Sequence, residues 1–187
     1  MSNEKIDGNF ELTELQEGLL NQSIIDLTGP VDGNMAMYVR TALAWLRASG
    51  SPDIEVHITS EGGGIESCLD IHDMLRLYKG KTLGIACMYT FSAAAVILQA
   101  CNCRQAAANT ELLIHHLRET SITLDIMRSK KKMAGLRKEA EVAQRKLDEI
   151  LSRRTGKTIL EIRAESQKDK EMTADEALAF GLIDEII

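Results

Sequence analysis

A chain of 187 residues, 44% hydrophobic and 27% charged, is long enough for one domain with a sizeable core, and no low-complexity linker divides it. Its net charge of −6 argues against a general nucleic-acid binder, although residues 128–146 carry eight Lys/Arg against two acids, the composition of a solvated helix face. No apolar run is long enough to cross a bilayer, and the acidic start "MSNEKIDGNFELTELQEGLL" has neither an apolar h-region nor an arginine before Arg40, so no membrane contact, no export signal and a cytoplasmic location are expected. Cys68, Cys87, Cys101 and Cys103 form no spaced pair of CxxC units, and "CNC" is too tight for a zinc knuckle. Reduced thiols, no metal and no cofactor are expected.

In chain order, short apolar runs alternate with helical patterns, the mark of βαβ units and a largely parallel α/β sheet. "SIIDLT" (23–28) predicts a strand. A helix over about 32–48 follows, with Met35, Val39, Leu43 and Leu46 on one face and Asp32 or Asn34 as cap. "IEVHIT" (54–59) is a second strand, and 65–78 a second helix built on Ile65, Leu69, Met74, Leu75 and Leu77. "TLGIAC" (82–87) is a third strand and leads into a helix that begins at Ser92. "ELLIHH" (111–116) is a fourth strand, and "GLIDEII" closes the chain as the last. Between them a long helix is predicted over about 121–154. Its seam of Met133, Leu136, Ala140, Ala143, Leu147 and Ile150 recurs at spacings of three and four, as in helix-on-helix packing. No second long helix offers an intramolecular partner, so this one should project, and Gly156 should stop it.

Three features carry candidate chemistry. Ser92, in "TFSAAAVILQAC", stands between a buried strand and a buried helix. There it is either an N-cap or a nucleophile placed where free N–H groups favour developing negative charge. Gly62, Gly63 and Gly64, in "TSEGGG", form either a tight turn or a turn offering N–H groups to an oxyanion. They match neither a dinucleotide fingerprint nor a phosphate-binding loop. His115 and His116 end the fourth strand, where an open α/β sheet places its ligands. An imidazole there is either structural or a base for a hydroxyl proton. Strand alternation sends the two rings to opposite faces, so one of them can serve a site shared with Ser92.

Six blocks, in order from about residue 19 to the end, resemble the proteolytic subunits of the Clp protease, the ClpP family. "LLNQSIIDLTGPVDGNMA" looks like that family's "LLxxRIIxLxGxV", "ITSEGGGI" its "INSPGGxV", and "FSAAA" its "ASMGA" around the nucleophile. "NTELLIHHL" is similar to "NSRxMIHQP", "RKLDEILSRRTGKTILEI" to "xxLNxILAxHTGQxxExI", and "KDKEMTADEALAFGLIDEII" to "RDxFMSAxEAxxYGLIDxVI". The resemblance implies a ClpP/crotonase-like fold of stacked βαβ units with a projecting handle helix (about 121–154). It implies one domain over 1–187, with 1–20 as an N-terminal segment. It also implies an ATP-independent core serine endopeptidase that cleaves peptides or unfolded chains inside a self-compartmentalised homo-oligomer of stacked heptameric rings. Carried over, Ser92 is the nucleophile, His115 the general base and Asp169 the orienting acid, with the backbone N–H groups of Gly63 and Ala93 as oxyanion hole. Asp169 follows from the resemblance alone. Asp184, in the closing strand motif, is its rival.

The chain departs from the family pattern where substrate and partners bind. Glu61 replaces the turn proline, "MYTF" precedes the nucleophile, Leu117 replaces the proline after the histidine, and "RETSITLD" stands in place of a glycine-rich stretch that pairs with substrate. Lys168 replaces an arginine used between rings, keeping the charge but not the fork. Glu55 and His57 occupy positions that carry aromatic rings in the family's unfoldase-docking pocket, so docking of a AAA+ unfoldase is expected to be weak or absent. Two other functions stay open: a catalytically weak ClpP-like structural or regulatory homologue, and an acyl-CoA enzyme of the related crotonase type.

Overall fold

Side-chain alternation builds the strands around which the molecule is organised. The computed structural model describes residues 10–118 and 122–187; residues 1–9 of the N-terminal segment and the expected start of the long helix at 121 lie outside the described residues. A short helix, α1 (Glu14–Leu20), leads into β1 (Ile24–Thr28). β2 (Ile54–Ser60) buries every second residue, from Ile54 to Ser60, and lies between β1 and β3 (Thr82–Phe91), with all three parallel. β4 (Cys103–Ala106) and β7 (Glu185–Ile186) extend the parallel sheet in the order β1-β2-β3-β4-β7. The crossovers are α2 (Gly33–Ala48), capped by Asp32 through the Met35 N–H at 2.9 Å, and α3 (Ile65–Arg76). α4 (Ala93–Leu98) is buried at every residue and lies directly on β3. Gly84 permits that approach, because a Cβ there would come within 2.7 Å of Leu98 and 2.8 Å of Cys101.

β3 is longer than its apolar run predicts, and this length makes the site. Its first half pairs with β2 and β4. After Met88, which is exposed and turns the backbone to φ +47°, residues 89–91 pair with β5 (Glu111–Ile114) in place of β4, while Thr90 keeps Ser60 of β2 as its partner. β5 in turn pairs antiparallel with β6 (Lys170–Thr173).

The long helix differs from expectation. It is interrupted: α5 (Leu124–Arg128) ends at Ser129, whose extended backbone (ψ +108°) and hydroxyl cap start α6 (Lys130–Thr155) afresh, the hydroxyl accepting the Lys132 N–H at 3.3 Å. Gly156 stops α6 in the left-handed conformation, as predicted. In α6, Leu147, Asp148 and Leu151 are buried and residues 130–146 hold no buried side chain. Leu147 is therefore core, while Met133, Leu136, Ala140 and Ala143 stay half-covered. Short α7 (Ile159–Ser166) and α8 (Ala174–Phe180) complete the chain. Among the described residues, no helix is long and apolar enough to cross a membrane.

Candidate active site

Strand order gathers three of the predicted residues. β3 and β5 run parallel as neighbours and β6 returns beside β5, so the carboxyl ends of the first two meet the amino end of the third. Ser92 follows β3, His115 follows β5 and Asp169 precedes β6. The β5–β6 ladder ends on the pair Ile114 and Lys170, each next in sequence to a predicted site residue, His115 and Asp169. Asp169 turns there to φ +52°. The N–H groups of His116 and Asp169 both donate to the Ser166 carbonyl, at 3.1 and 3.2 Å.

Ser92 holds the conformation φ +56°, ψ −119°, costly for a residue with a side chain. Its N–H donates to the Leu113 carbonyl at 2.8 Å, which pins it to β5. It stands at the N-cap position of α4, yet its hydroxyl makes no capping bond. Thr13, Asp32, Thr123, Ser129, Thr158 and Thr173 all cap their helices with their side chains. The capping role weighed for Ser92 is thus not the one it performs.

Ser92 and His115 line one cavity of about 220 Å³, together with Gly63 and Ala93. Val96, Ile114, Leu147 and Leu151 supply apolar wall, and Glu61 and Arg118 the charged rim. Among the described residues, the N–H groups of Gly63 and Ala93 meet no backbone acceptor, so both are available to a ligand oxygen. The Nδ1 of His115 faces the His116 carbonyl. A carbonyl can only accept, so Nδ1 carries the proton in the neutral ring and Nε2 keeps its lone pair. His116 lines a different cavity, with Arg137 and Arg163, and its buried Nε2 meets no hydrogen-bond partner among the described residues. The two rings thus line different cavities, although β5 ends at Ile114 and both histidines follow the strand rather than ending it as expected.

Cys68 is the rival nucleophile on the same cavity wall. Its thiol donates to the Ala93 carbonyl at 3.3 Å, and burial pushes its pKa up to about 12, which disfavours the thiolate a nucleophile needs.

The two candidate acids are both engaged elsewhere. The Asp169 carboxylate takes the Arg118 guanidinium at 2.6 Å, with both side chains more than half exposed. Asp184 accepts the backbone N–H of Arg104 at 2.8 Å and its Nε at 3.0 Å, which holds its carboxyl below the usual range. It is a structural anchor of β4 and β7, remote in role from the cavity.

Gln144 and Arg118, which the sequence did not single out, shape the segment after His115. Leu117, having an N–H where the family has proline, donates to Gln144 Oε1 at 2.7 Å. Gln144 Nε2 donates to the buried Asp148 at 2.8 Å, and Arg163 Nε to the same carboxylate at 2.6 Å. This ties the strand end to α6. Arg118, next along, lines the cavity and also the wide groove beneath Leu136 and Ala140.

Gly62 supports Ser92 from below. A Cβ on it would lie 2.8 Å from both the Phe91 carbonyl and Ser92 Cβ, at a φ of +94°. Gly62→Ala is therefore expected to shift Ser92 and reduce any peptide turnover about 10²-fold, the cost of a misplacement near 1 Å. Steady-state kinetics on the folded variant check this; unchanged turnover would show that the cavity tolerates displacement of Ser92.

The comparisons agree with this architecture. The family model described as Clp protease matches residues 7–187. The ATP-dependent Clp protease proteolytic subunit of Streptococcus mutans is 32% identical over 177 residues, covering 93% of this chain and 89% of that protein. The protein of the same name from Streptococcus gordonii is 31% identical over 185 residues, with the same coverage. With the Clp protease match running almost from end to end over a sheet that carries the quoted motifs in order, the chain belongs to the Clp protease family.

Proposed function

We propose that this chain is the core subunit of a serine endopeptidase, with Ser92 as nucleophile, His115 as general base and Asp169 as the acid that orients it. The observation that carries this is the Ser92 hydroxyl: held at a strained strand-to-helix junction, released from capping, and facing a cavity that His115 shares. The serine oxygen attacks a scissile carbonyl while His115 Nε2 takes its proton. The oxyanion that forms accepts from Gly63 and Ala93 N–H, and the imidazolium returns its proton to the leaving amine. Water then repeats the cycle to release the acyl group. No nucleotide enters these steps, so the chemistry is ATP-independent and suits peptides or unfolded chains. The test is hydrolysis of a fluorogenic peptide by the purified protein without ATP. Turnover is expected, whereas turnover of a coenzyme A thioester and not of peptides would replace this reading with the crotonase-type one.

The assembly proposed is a homo-oligomer of stacked heptameric rings, with α6 at the contact between rings. Its residues 130–146 hold no buried side chain, yet keep the seam of Met133, Leu136, Ala140 and Ala143. Leu136→Glu is expected to split the assembly, read by sedimentation; a native chain that sediments as a monomer would remove the basis for it. Glu55 and His57 pair with each other at 2.9 Å on β2, a polar surface at the proposed docking position. Desolvating that carboxylate costs several kcal/mol, so weak or absent co-sedimentation with a AAA+ unfoldase is expected. One observation favours the second reading, a slow homologue: the Asp169 carboxylate faces Arg118 rather than His115.

A further inference from the structure

We infer that Arg118 is a latch on the candidate site, a positioning residue that competes with His115 for the single carboxylate of Asp169. The inference rests on the triad reading above and goes beyond it. His115 and Arg118 belong to one short segment, three residues apart, and that segment leaves β5 just after Ile114, the partner of Lys170, which follows Asp169. Asp169 cannot slide away, since its N–H is fixed to the Ser166 carbonyl that also holds His116. Its side chain therefore has two cationic or potentially cationic neighbours on the facing strand end. In the structure it takes Arg118, at 2.6 Å, and His115 Nδ1 turns to the His116 carbonyl instead.

The latch is a light one. Side-chain exposures of 63% and 51% leave the pair open to water and salt. Arg118 also reaches the groove shared with Glu66 and Glu139, so an anionic group entering there can draw it off. Release frees Asp169 to accept Nδ1–H from His115, which fixes the ring and stabilises the imidazolium. Latched, the site keeps its nucleophile, base and oxyanion donors but lacks the acid.

The test uses the full chain and four variants. Arg118→Gln is expected to hydrolyse a fluorogenic peptide about two- to fivefold faster than wild type at low salt, the range that an exposed ion pair can shift a two-state equilibrium. Added sodium chloride should activate wild type and leave Arg118→Gln nearly unchanged, while Arg118→Lys should lie between them. By nuclear magnetic resonance, the His115 Nδ1–H proton should move downfield in Arg118→Gln, because it then donates to a carboxylate. An Arg118→Gln protein no faster than wild type, or an unmoved His115 Nδ1–H resonance, overturns the latch while Ser92→Ala still tests the triad separately. If Arg118→Gln with Ser92→Ala keeps the gained turnover, the activity is not the triad's and both readings fall.

Discussion

Ser92→Ala is expected to lower peptide hydrolysis by about 10⁴-fold or more with the fold intact, because it removes the attacking oxygen and leaves a methyl that the helix start accepts. No capping bond is lost with the hydroxyl. His115→Ala should be comparably damaging, because the residues of such a unit fail together. His116→Ala should cost far less in turnover, since that ring lines the other cavity. Single-turnover kinetics on the three variants check this. Equal losses for His115→Ala and His116→Ala would contradict the separation of the two faces, and wild-type turnover by Ser92→Ala would remove Ser92 as nucleophile.

The largest stability loss is expected at Arg104, far from the chemistry. Its side chain is 6% exposed, and it donates to Asp184 through Nε and Nη2, to Gln99 Oε1 at 2.7 Å and to the Gly181 carbonyl at 2.9 Å. It joins β4, α4 and the start of the closing segment. Arg104→Ala leaves a buried amide and a carbonyl without donors and a carboxylate without its cation, a loss of about 3 kcal/mol. Arg40→Ala is the control: its pair with Asp70 is 57% and 45% exposed and contributes less than about 1 kcal/mol. Urea unfolding at one fixed protein concentration separates the two. The pH dependence has a definite sign. The Asp184 carboxyl sits below its usual value in the fold, so its contribution is present above the unfolded carboxylate value near 4 and fades as pH falls through the folded one. Asp184→Asn should therefore flatten the acid limb of the stability curve; an unchanged limb would show that other carboxylates carry it.

The strands that alternate buried and less buried residues were legible because apolar residues dominate their buried face: β1, β2 and the first half of β3 fall within a residue of expectation at their starts. The second half of β3 was not, since "MYTF" pairs with β5 only after the Met88 turn, a tertiary event. β4 "CRQA" and β6 "KEMT" are four residues each and largely polar, too short for a period to show. α1, α7 and α8 were missed although each opens on a capping box, "TELQ", "TILE" and "TADE", a signal present in the sequence. The break at Ser129 was readable in principle as a second cap inside a helical pattern. At the site, Ser92 and His115 could be found from their places at element ends. Asp169 could not, because its relation to His115 is set by the β5–β6 register. Arg118 was passed over as part of a lost glycine-rich stretch, and its pairing exists only once that register is made.

The central claim is that the Ser92 hydroxyl is an activated nucleophile served by His115. The most direct measurement is treatment of the assembled protein with a fluorophosphonate, followed by mass spectrometry of the digested chain. The adduct is expected on the peptide bearing Ser92, absent in Ser92→Ala, and formed much more slowly in His115→Ala. An assembled protein that hydrolyses peptides while Ser92 stays unlabelled, or whose labelling is indifferent to His115, would contradict it.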